Sequence, residues 1–285
     1  MEGGLIKGAA GDPEITVIRP GAVSLGSRLA ELLSYRELLY FLVLRNLKVR
    51  YAQAVLGAAW SILQPVLTAL LMGLLLGRFA KFSTDGVPPF LFYFAAMVPW
   101  TFFANAVTSA TGSLVANQQL IRKVYFPRLS LPLAAVLSAM ADLVVPMLLL
   151  LGTMVVDGVP MSPGLLVALP VLLLISAVAA TAIGIGFSAM NLRYRDVQVA
   201  LPFLVQLGFF ASPIIYPASR VPEAYRALYF LNPMAAVIDG FRAATLHTHA
   251  LSWSDIAVSG TTALALLAVA MVYFARSEPD FADLA

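Results

Sequence analysis

One acidic side chain, Asp142, stands inside a long apolar stretch of the sequence. An ionisable group within a membrane is costly and by default indicates a function, such as a step in proton-coupled transport. Asp142 has no clear second acid and no basic partner in the predicted membrane segments. The sequence therefore leaves three roles open: a direct part in transport, a place beside a cavity, or acceptance of hydrogen bonds from a neighbouring helix.

A second group of titratable side chains consists of His247, His249 and Asp255. An intramembrane glycosyltransferase or acyltransferase would need an acid or histidine cluster on the outer side of the membrane, and these three residues are the candidates for it. Their spacing is unspecific. A polar turn at the membrane rim explains the two histidines better than a metal site, so we expect no bound metal.

The sequence motifs of several enzyme classes are absent. There is no GxxxxGK[ST] loop for ATP, and there is no HExxH, GxSxG or cysteine cluster. Gly184 and Gly186 fall inside an apolar segment without a preceding strand, which fits close helix packing better than phosphate binding. We therefore expect no catalytic residue and no cofactor in this chain.

The amino-acid composition indicates whether the protein lies in water or in a membrane. Of 285 residues, 60% are hydrophobic and 12% are charged, and the mean hydropathy is +0.87. A soluble domain is about 45–50% apolar and about 25% charged, so this chain is expected to lie in a bilayer. The absence of cysteine excludes disulfides and thiolate metal sites. The net charge of +3 is small, and we expect no nucleic-acid partner.

Charge-poor runs predict six membrane-spanning helices, because a spanning helix needs about 20 apolar residues. The expected fold class is an all-α membrane protein with one transmembrane domain, residues 27–285, after a flexible N-terminal arm, residues 1–26. The arm lacks the apolar centre of a cleavable signal. The predicted spans cover residues 56–79, 89–113, 130–156, 163–190, 197–216 and 256–275.

The basic residues predict the orientation. With six spans both termini lie on one side of the membrane, and most of the 18 lysines and arginines fall on that side. Positive residues favour the cytoplasmic side, so both termini are expected in the cytoplasm of a multi-pass protein of the bacterial inner membrane. The opposite side has Arg78, Lys81, Arg220, Arg226 and Arg242.

Residues 27–50 predict a helix that lies in the cytoplasmic interface. Ser27 can cap its start, apolar residues recur near helical spacing, and Arg45, Lys48 and Arg50 make its end basic. A basic end favours contact with anionic headgroups, so membrane lipids are expected partners. A plain topology anchor would explain the same pattern.

The connection NQQLIRKVYFPRLSLP, Asn117 to Pro132, mixes polar, basic and aromatic residues and is interrupted by Pro127. A short helix here would suit contact with a soluble cytoplasmic protein. Its apolar residues Leu120, Ile121, Val124 and Phe126 would then face the partner, and its basic residues would stay in water. An ordinary inside loop that obeys the positive-inside rule fits equally well.

The segment ASPIIYPASRVPEAYRALYFLNP, Ala211 to Pro233, is too broken to cross a bilayer and too apolar for an ordinary loop. Pro213 and Pro217 are expected to end the fifth span, and two short helices are expected over residues 221–230 and 234–246. Together they predict a region, residues 217–246, that enters the outer leaflet and returns against protein or a water-filled cavity. An aromatic belt on an ordinary outer loop is the alternative.

Three motifs resemble one family, the membrane subunits of ABC exporters for lipid-linked polysaccharides such as O-antigens, capsules and teichoic acids. LRNLKVRYAQAVLGAAWSILQPVL, Leu44 to Leu67, is similar to the family's approach to the first span. Asn46 departs from the family, which usually has Asp there. The residues that match are Arg50, Tyr51, Leu56, Gly57, Trp60 and Pro65.

The two other motifs follow in the family's order, and the resemblance extends over nearly the whole chain from about Leu38. NLRYRDV, Asn191 to Val197, resembles the family's Asn-x-x-Tyr-Arg-Asp-Val connection. SPIIYP, NPM and FR, between Ser212 and Arg242, resemble its outer re-entrant region. Each motif alone is modest, and their common order and spacing make the match specific.

The resemblance implies a homodimer paired with two copies of a separate ATPase, which binds ATP and Mg²⁺. It also implies a coupling helix, residues 117–127, that docks in a groove of that ATPase. The implied coupling residues are Asn117, Gln118, Leu120, Ile121, Arg122, Lys123, Tyr125 and Phe126.

The resemblance further implies a path for a lipid-linked glycan, with aromatic faces for the apolar C–H surfaces of sugar rings. Lipid contact or core packing would explain the same aromatics. The substrate entrance is assigned to Arg45, Lys48, Arg50, Leu56 and Gly57. The channel lining is assigned to Trp60, Gln64, Phe203, Gln206, Phe209 and Phe210. The outer re-entrant gate is assigned to Tyr216, Tyr225, Tyr229, Asn232, Pro233 and Arg242.

The sequence thus predicts the transmembrane subunit of an ATP-driven exporter. Its expected substrate is a polyprenyl-diphosphate-linked polysaccharide, such as O-antigen, that moves from the cytoplasmic to the outer face. An ion-coupled carrier is one alternative, but it predicts embedded acids and an internal repeat. The sequence offers Asp142 and no convincing repeat. An intramembrane glycosyltransferase or acyltransferase is the other alternative.

Overall fold

The structure is a computed structural model that describes residues 25–52, 59–159, 164–194 and 196–281. The flexible arm expected over residues 1–26 falls almost entirely outside these ranges, and Leu56 and Gly57 also lie outside them. The described chain folds into helices and connecting turns. The α-helices are α1 (Leu25–Ser34), α2 (Arg36–Tyr51), α3 (Ala59–Met72), α4 (Pro89–Ala116), α5 (Gln118–Lys123), α6 (Ser130–Val156), α7 (Leu165–Arg193), α8 (Asp196–Ala211), α9 (Glu223–Tyr229), α10 (Pro233–Leu246) and α11 (Trp253–Ser277).

Five helical segments are long and apolar enough to cross a membrane. The first combines most of α3 with a π-helical stretch, Gly73–Phe79. The fifth predicted span, residues 197–216, corresponds to α8, which is apolar but has only 16 residues. Its length of about 24 Å is less than the roughly 30 Å of a hydrocarbon core. Helix length and hydropathy therefore give five candidate spans within the described chain. The five segments are Ile62–Phe79, Pro89–Ala116, Ser130–Val156, Leu165–Arg193 and Trp253–Asp280.

Helix α4 is the centre of the fold. It is apolar on most sides, as expected for a helix that is surrounded by others, and it packs against α3, α6, α7 and α10. All residues from Leu91 to Phe103 are buried. Two glycines let its neighbours approach closely: a methyl at Gly184 of α7 would lie 2.5 Å from the Ala110 Cβ, and one at Gly73 would lie 3.1 Å from the Phe90 backbone nitrogen.

Polar contacts define one end of the helix bundle, which we call the α5 end. Tyr125 donates to a Glu31 oxygen at 3.1 Å, which joins the segment after α5 to α1. Arg128 donates to the backbone carbonyl of Glu278 at 2.5 Å. This second bond joins the start of α6 to the turn Glu278–Asp280 that follows α11.

The opposite end, which we call the α9 end, joins the segment after α8 to the starts of α4 and α11. Tyr93 donates to the carbonyl of Ile215 at 3.4 Å, and Arg226 of α9 lies 3.3 Å from Asp255 of α11. Helices α3, α6 and α8 therefore run from the α5 end to the α9 end, and α4, α7 and α11 run back.

The predicted interface helix is divided at Tyr35 into α1 and α2. Helix α2 packs along α6, and its buried Leu42 joins a core cluster with Leu114 and Phe126. Near its end Arg50 reaches Asp142, which lies about 18 Å along α6 from the first residue of that helix. The second half of the segment is thus built into the bundle rather than lying free on its surface.

Candidate functional site

The predicted coupling segment is a short helix, α5, followed by extended backbone at Val124. Ile121 and Phe126 are buried in the chain's own core, with 6% and 5% of their surface exposed. These two side chains are therefore unavailable to a partner in this conformation, contrary to the apolar docking face expected from the sequence. Leu120, Asn117 and Gln118 are half-buried, and the exposed surface consists of Gln119, Arg122, Lys123, Val124 and Tyr125.

This surface is anchored by three other parts of the chain. Asn117 accepts a hydrogen bond from Arg45 Nη2 at 2.7 Å, which links it to α2. Partial burial, and next the neighbouring carboxylate of Glu31, raise the pKa of the Tyr125 hydroxyl, so the Tyr125–Glu31 bond keeps its proton. Arg128 lies 5.8 Å from the centre of the Phe281 ring. These contacts would therefore transmit a movement of the segment 122–125 to α1, α2 and the end of α11.

The predicted substrate entrance contains an ion pair that the sequence did not reveal. Arg50 Nη1 donates to one oxygen of Asp142, and the Tyr51 hydroxyl donates to the other. The expectation that Asp142 has no basic partner is therefore wrong, because α2 carries Arg50 inward along α6. The pair is unevenly buried: 31% of the Arg50 side chain and 10% of the Asp142 side chain are exposed. Arg45 and Lys48 are exposed.

A row of polar side chains on α4 runs past this ion pair. Its members recur at every fourth residue and thus form one ridge of the helix. The four-residue spacing is visible in the sequence, but these uncharged polar residues do not interrupt a charge-free span and so did not stand out. We call it the α4 polar row, and it consists of Thr101, Asn105, Ser109, Ser113 and Asn117.

The predicted channel residues lie on two helices that both pack against α4. Phe209 is half-buried, and its ring centre lies 5.7 Å from that of Trp100. Trp60 and Gln64 of α3 and Phe203, Gln206 and Phe210 of α8 are exposed on the chain described here. The structure thus leaves two largely apolar helix faces open, of which α3 carries Trp60 and Gln64, and α8 carries Phe203, Phe210 and Gln206.

The predicted outer gate is organised around Arg242, which is 1% exposed. Its guanidinium donates to the carbonyls of Phe92 at 3.0 Å and Ile214 at 2.7 Å, and also to that of Pro213. It lies 3.5 Å from the centre of the Phe92 ring. Since Pro213 and Ile214 follow the end of α8, Arg242 fixes the irregular chain that leads away from that helix. It also contacts the carbonyl of Tyr216 at 3.5 Å.

Asn232 and Pro233 form the turn between α9 and α10. The Asn232 side chain accepts from the backbone of Met234 at 3.1 Å and donates to Ser212 Oγ at 3.0 Å, so it caps α10 and ties the turn to the end of α8. Pro233 occupies the first helical position, where its missing N–H costs nothing. The Tyr216 and Tyr229 hydroxyls lie 3.3 Å apart, whereas Tyr225 is exposed.

Helices α9 and α10 form a hairpin whose turn points away from the α9 end. At the turn, the carbonyl of Phe230 accepts from Ser259, which lies one and a half turns into α11. Met234 then contacts Ser176 at 3.5 Å, and Gly240 lies against Leu172, which is nearer the start of α7. Helix α10 therefore returns towards the α9 end along α7.

The two histidines follow the end of α10. Within the ranges that the structure describes, no three His, Cys, Asp or Glu side chains are grouped to hold a metal ion. His249 Nε2 lies 3.1 Å from Asp239. This hydrogen bond raises the pKa of His249 against the opposing effect of burial. His247 is exposed in a left-handed conformation with φ of 53° and ends α10.

Comparison with known proteins places this geometry in a family. Residues 37–246 match the family described as ABC-2 type transporter. An O-antigen export system permease protein, RfbA, of Myxococcus xanthus is 32% identical over 89% of this chain and 97% of its own length. The RfbA protein of Klebsiella pneumoniae is 28% identical over 87% of this chain and 95% of its own length. The polysialic acid transport protein KpsM of Escherichia coli is 26% identical over 72% of this chain and 80% of its own length. The matched residues include α2 from Glu37 onward, the α4 polar row and the whole α9–α10 hairpin. The chain belongs to the ABC-2 type transporter family.

Proposed function

We propose that this chain is the transmembrane subunit of an ATP-driven exporter that moves a polyprenyl-diphosphate-linked, O-antigen-like polysaccharide across the bacterial inner membrane. The observation that carries the proposal is the match along 97% of the RfbA permease of Myxococcus xanthus. That relative and the one from Klebsiella pneumoniae are both described as O-antigen export permeases. The chain supplies the passage, and a separate ATPase supplies the energy.

The exposed segment 122–125 is the proposed contact with that ATPase. It combines two cations with Val124 and Tyr125, which are 54% and 58% exposed. Large exposed apolar groups beside charges suit a protein interface. The buried Ile121 and Phe126 would act as the inner anchors that carry motion of this surface into the bundle. Two copies of the ATPase would bind two copies of this chain, with ATP and Mg²⁺ held by the ATPase.

The α5 end would face the cytoplasm. It holds Arg122, Lys123 and Arg128, and positive residues near membrane segments favour the cytoplasmic side. Export from the cytoplasmic to the outer face then runs from the α5 end to the α9 end. Both termini would be cytoplasmic, and α8 with the turns after Ala211 would complete a sixth crossing.

The open faces of α3 and α8 would line the path between the two copies. Trp60, Phe203 and Phe210 are each more than half exposed. Aromatic rings can contact the apolar faces of successive sugars without selecting one sequence, and Gln64 and Gln206 can bind hydroxyl groups. A polymer that must slide requires such interchangeable contacts.

The α9–α10 hairpin would form the outer gate. Its turn lies inside the bundle, and Arg242 holds the adjoining chain by its carbonyl groups. Non-helical backbone at membrane depth is stable only when protein satisfies its polar groups, and Arg242 meets that requirement. The aromatic side chains of Tyr216, Tyr225 and Tyr229 would then border the exit.

The test is reconstitution of this chain with its ATPase in proteoliposomes, followed by measurement of glycan transport and ATP hydrolysis. Arg122→Ala should lower transport at least fivefold while ATP hydrolysis continues, because the proposed contact is weakened. Arg220→Ala removes an equally exposed arginine at the α9 end and serves as the matched control. Equal transport by both variants contradicts the coupling surface.

The energy source is tested in the same vesicles. Transport should require ATP and should survive collapse of the proton gradient. Transport that continues without ATP and stops when the gradient collapses would instead identify an ion-coupled carrier. Turnover of a glycan by the purified chain alone would identify a transferase.

A further inference from the structure

Arg50 is held by a carboxylate on its buried side and remains accessible on the other. Its exposed fraction, 31%, is three times that of Asp142. A guanidinium has five N–H donors. Among the described residues, Arg50 donates to Asp142 and, at 3.5 Å, to Ser109. The side chain therefore has donors left for a further acceptor that approaches from its open side.

The α4 polar row leads from the α5 end to this arginine. It begins at Asn117, which binds Arg45, and reaches Ser109 beside Arg50 after two helical turns, about 12 Å. A polar group that enters from the α5 end thus meets two arginines and a line of hydroxyl and amide groups. Outside this row, the polar side chains of α4 in this region are Thr108, which donates to the carbonyl of Ala104 in its own helix, and the buried Thr111.

Beyond Arg50 the row ends in a small cleft that has both polar and apolar lining residues. Thr101 is 9% exposed, and its hydroxyl has no hydrogen-bond partner among the described residues. Thr101, Asn105 and Asp142 line a cleft of about 10 Å³ between α4 and α6, which is the space of one water-sized sphere. A phosphate cannot fit inside it, so a phosphate would have to bind Arg50 on its open side.

The chemistry of the site favours a phosphate. A guanidinium forms paired, charge-assisted hydrogen bonds with phosphate oxygens and is less strongly hydrated than an ammonium group. The apolar surroundings of Asp142 on α6 favour a ligand that also carries an apolar tail. A lipid phosphate has both features, with its head group on Arg50 and its chain in the bilayer.

We propose that Arg50 is the receptor for the phosphate group of an anionic lipid, and that Asp142 is a positioning residue that competes with this phosphate for Arg50. The proposal rests on the proposed function, since a polyprenyl diphosphate would be the lipid that is carried. Asp142 holds Arg50 in place before the lipid arrives, with Tyr51 on its second oxygen. The competition keeps phosphate binding reversible, so that the lipid can move on.

The experiment is an equilibrium titration of the purified full-length chain in phosphatidylcholine nanodiscs with undecaprenyl diphosphate. Asp142→Asn should bind this lipid about tenfold more tightly than the wild type, because the competing charge is gone. Tenfold corresponds to about 1.4 kcal/mol. Asp255→Asn is the matched control, because it removes the carboxylate of another arginine pair at the α9 end, and its Kd should stay within twofold.

A double variant shows whether the gain depends on Arg50. Arg50→Gln combined with Asp142→Asn should lose the gain and bind the lipid more weakly than the wild type. An unchanged Kd in Asp142→Asn, or a gain that persists in the double variant, overturns the proposal. If Asp142→Asn does not fold, the lipid affinity of the double variant alone tests the proposal. If the double variant binds the lipid as tightly as the wild type does, Arg50 is not the receptor.

Two further ligands identify the source of the phosphate. Gains for undecaprenyl diphosphate and phosphatidylglycerol without a gain for inorganic pyrophosphate support a lipid head group. A gain for pyrophosphate alone contradicts the lipid part of the proposal. Transport is a separate readout: an unchanged Kd in Asp142→Asn with normal ATP-driven glycan export overturns this proposal only. The expected Kd changes with no export by the wild-type complex overturn the proposed function only.

Discussion

Replacement of Arg242 by lysine tests whether one side chain holds the outer part of the bundle together. Arg242 is 1% exposed and donates to the carbonyls of Phe92, Pro213 and Ile214. Each acceptor is reached by a different nitrogen of the planar guanidinium: Nε binds Phe92, Nη1 binds Pro213 and Nη2 binds Ile214. A lysine keeps the positive charge but presents its donors from a single nitrogen atom. We expect Arg242→Lys to keep one of these bonds and lose two.

The size of the effect follows from the lost bonds. A buried carbonyl that is left without a partner costs about 1–3 kcal/mol. Pro213 and Ile214 lie in an irregular segment after α8, where the helix supplies no replacement donor. Two such groups therefore predict a loss of about 2–6 kcal/mol in the free energy of unfolding, with the damage concentrated at the junction of α8 and the hairpin.

Two measurements separate this effect from general instability. The first is the free energy of unfolding by sodium dodecyl sulfate in mixed micelles, with Arg220→Lys as an exposed control that should change it by less than about 0.5 kcal/mol. The second uses the absence of cysteine in the chain: a single Ile214→Cys substitution should react with a maleimide faster when Arg242→Lys is also present. A loss below about 1 kcal/mol with unchanged reactivity would show that Arg242 does not hold this segment.

Two further substitutions test packing and electrostatics. Gly184→Ala places a methyl 2.5 Å from the Ala110 Cβ and should lower the free energy of unfolding by about 1–3 kcal/mol. In the control Gly186→Ala the nearest atom to the new methyl is 3.8 Å away, so the free energy of unfolding should fall by no more than about 0.5 kcal/mol. Equal losses in the two variants would contradict the close α4–α7 contact. The carboxylate of Asp239 raises the pKa of His249, so the stability that this pair gives to the folded protein is complete below the unfolded pKa of about 6.5 and is lost as the pH rises through the folded value. The melting temperature of the wild type should therefore exceed that of His249→Gln by more at about pH 5.5 than at about pH 8.5. His247→Asn is the control, because asparagine is suited to the φ of 53° at that position.

The long spans could be predicted from the sequence because the hydropathy of a segment is the sum over its own residues. Each of the five segments that the structure supports contains a run of apolar residues, and no tertiary contact is needed to find such a run. Helix α8 shows the limit of the method. Its apolar run continues past Ala211, but Pro213 and the turns that follow end the helix at 16 residues. Hydropathy measures how apolar a segment is and does not measure how far its helix extends.

The candidate site was harder to predict because its key contacts join residues that are far apart in the chain. Arg50 and Asp142 are 92 residues apart, and Arg242 reaches the carbonyl of Phe92 from 150 residues away. The sequence identified Arg50 and Arg242 as residues of interest, but not their partners. Phe126 shows the opposite error: its aromatic side chain suggested an interface, and the structure buries it in a core cluster that also contains Leu42.

The α4 polar row helps to hold α2 in the bundle. Polar groups on a helix at the centre of a membrane protein cannot be satisfied by lipid, so other parts of the chain must bind them. Asn117 and Ser109 lie about 12 Å apart on one ridge, whereas Arg45 and Arg50 lie about 7.5 Å apart along the axis of α2 and reach them with long side chains. From α2, which packs along α6, the two arginines reach both groups. The packing on α6 and these contacts together hold Arg50 beside Asp142, and so they fix the accessible arginine of the proposed lipid site.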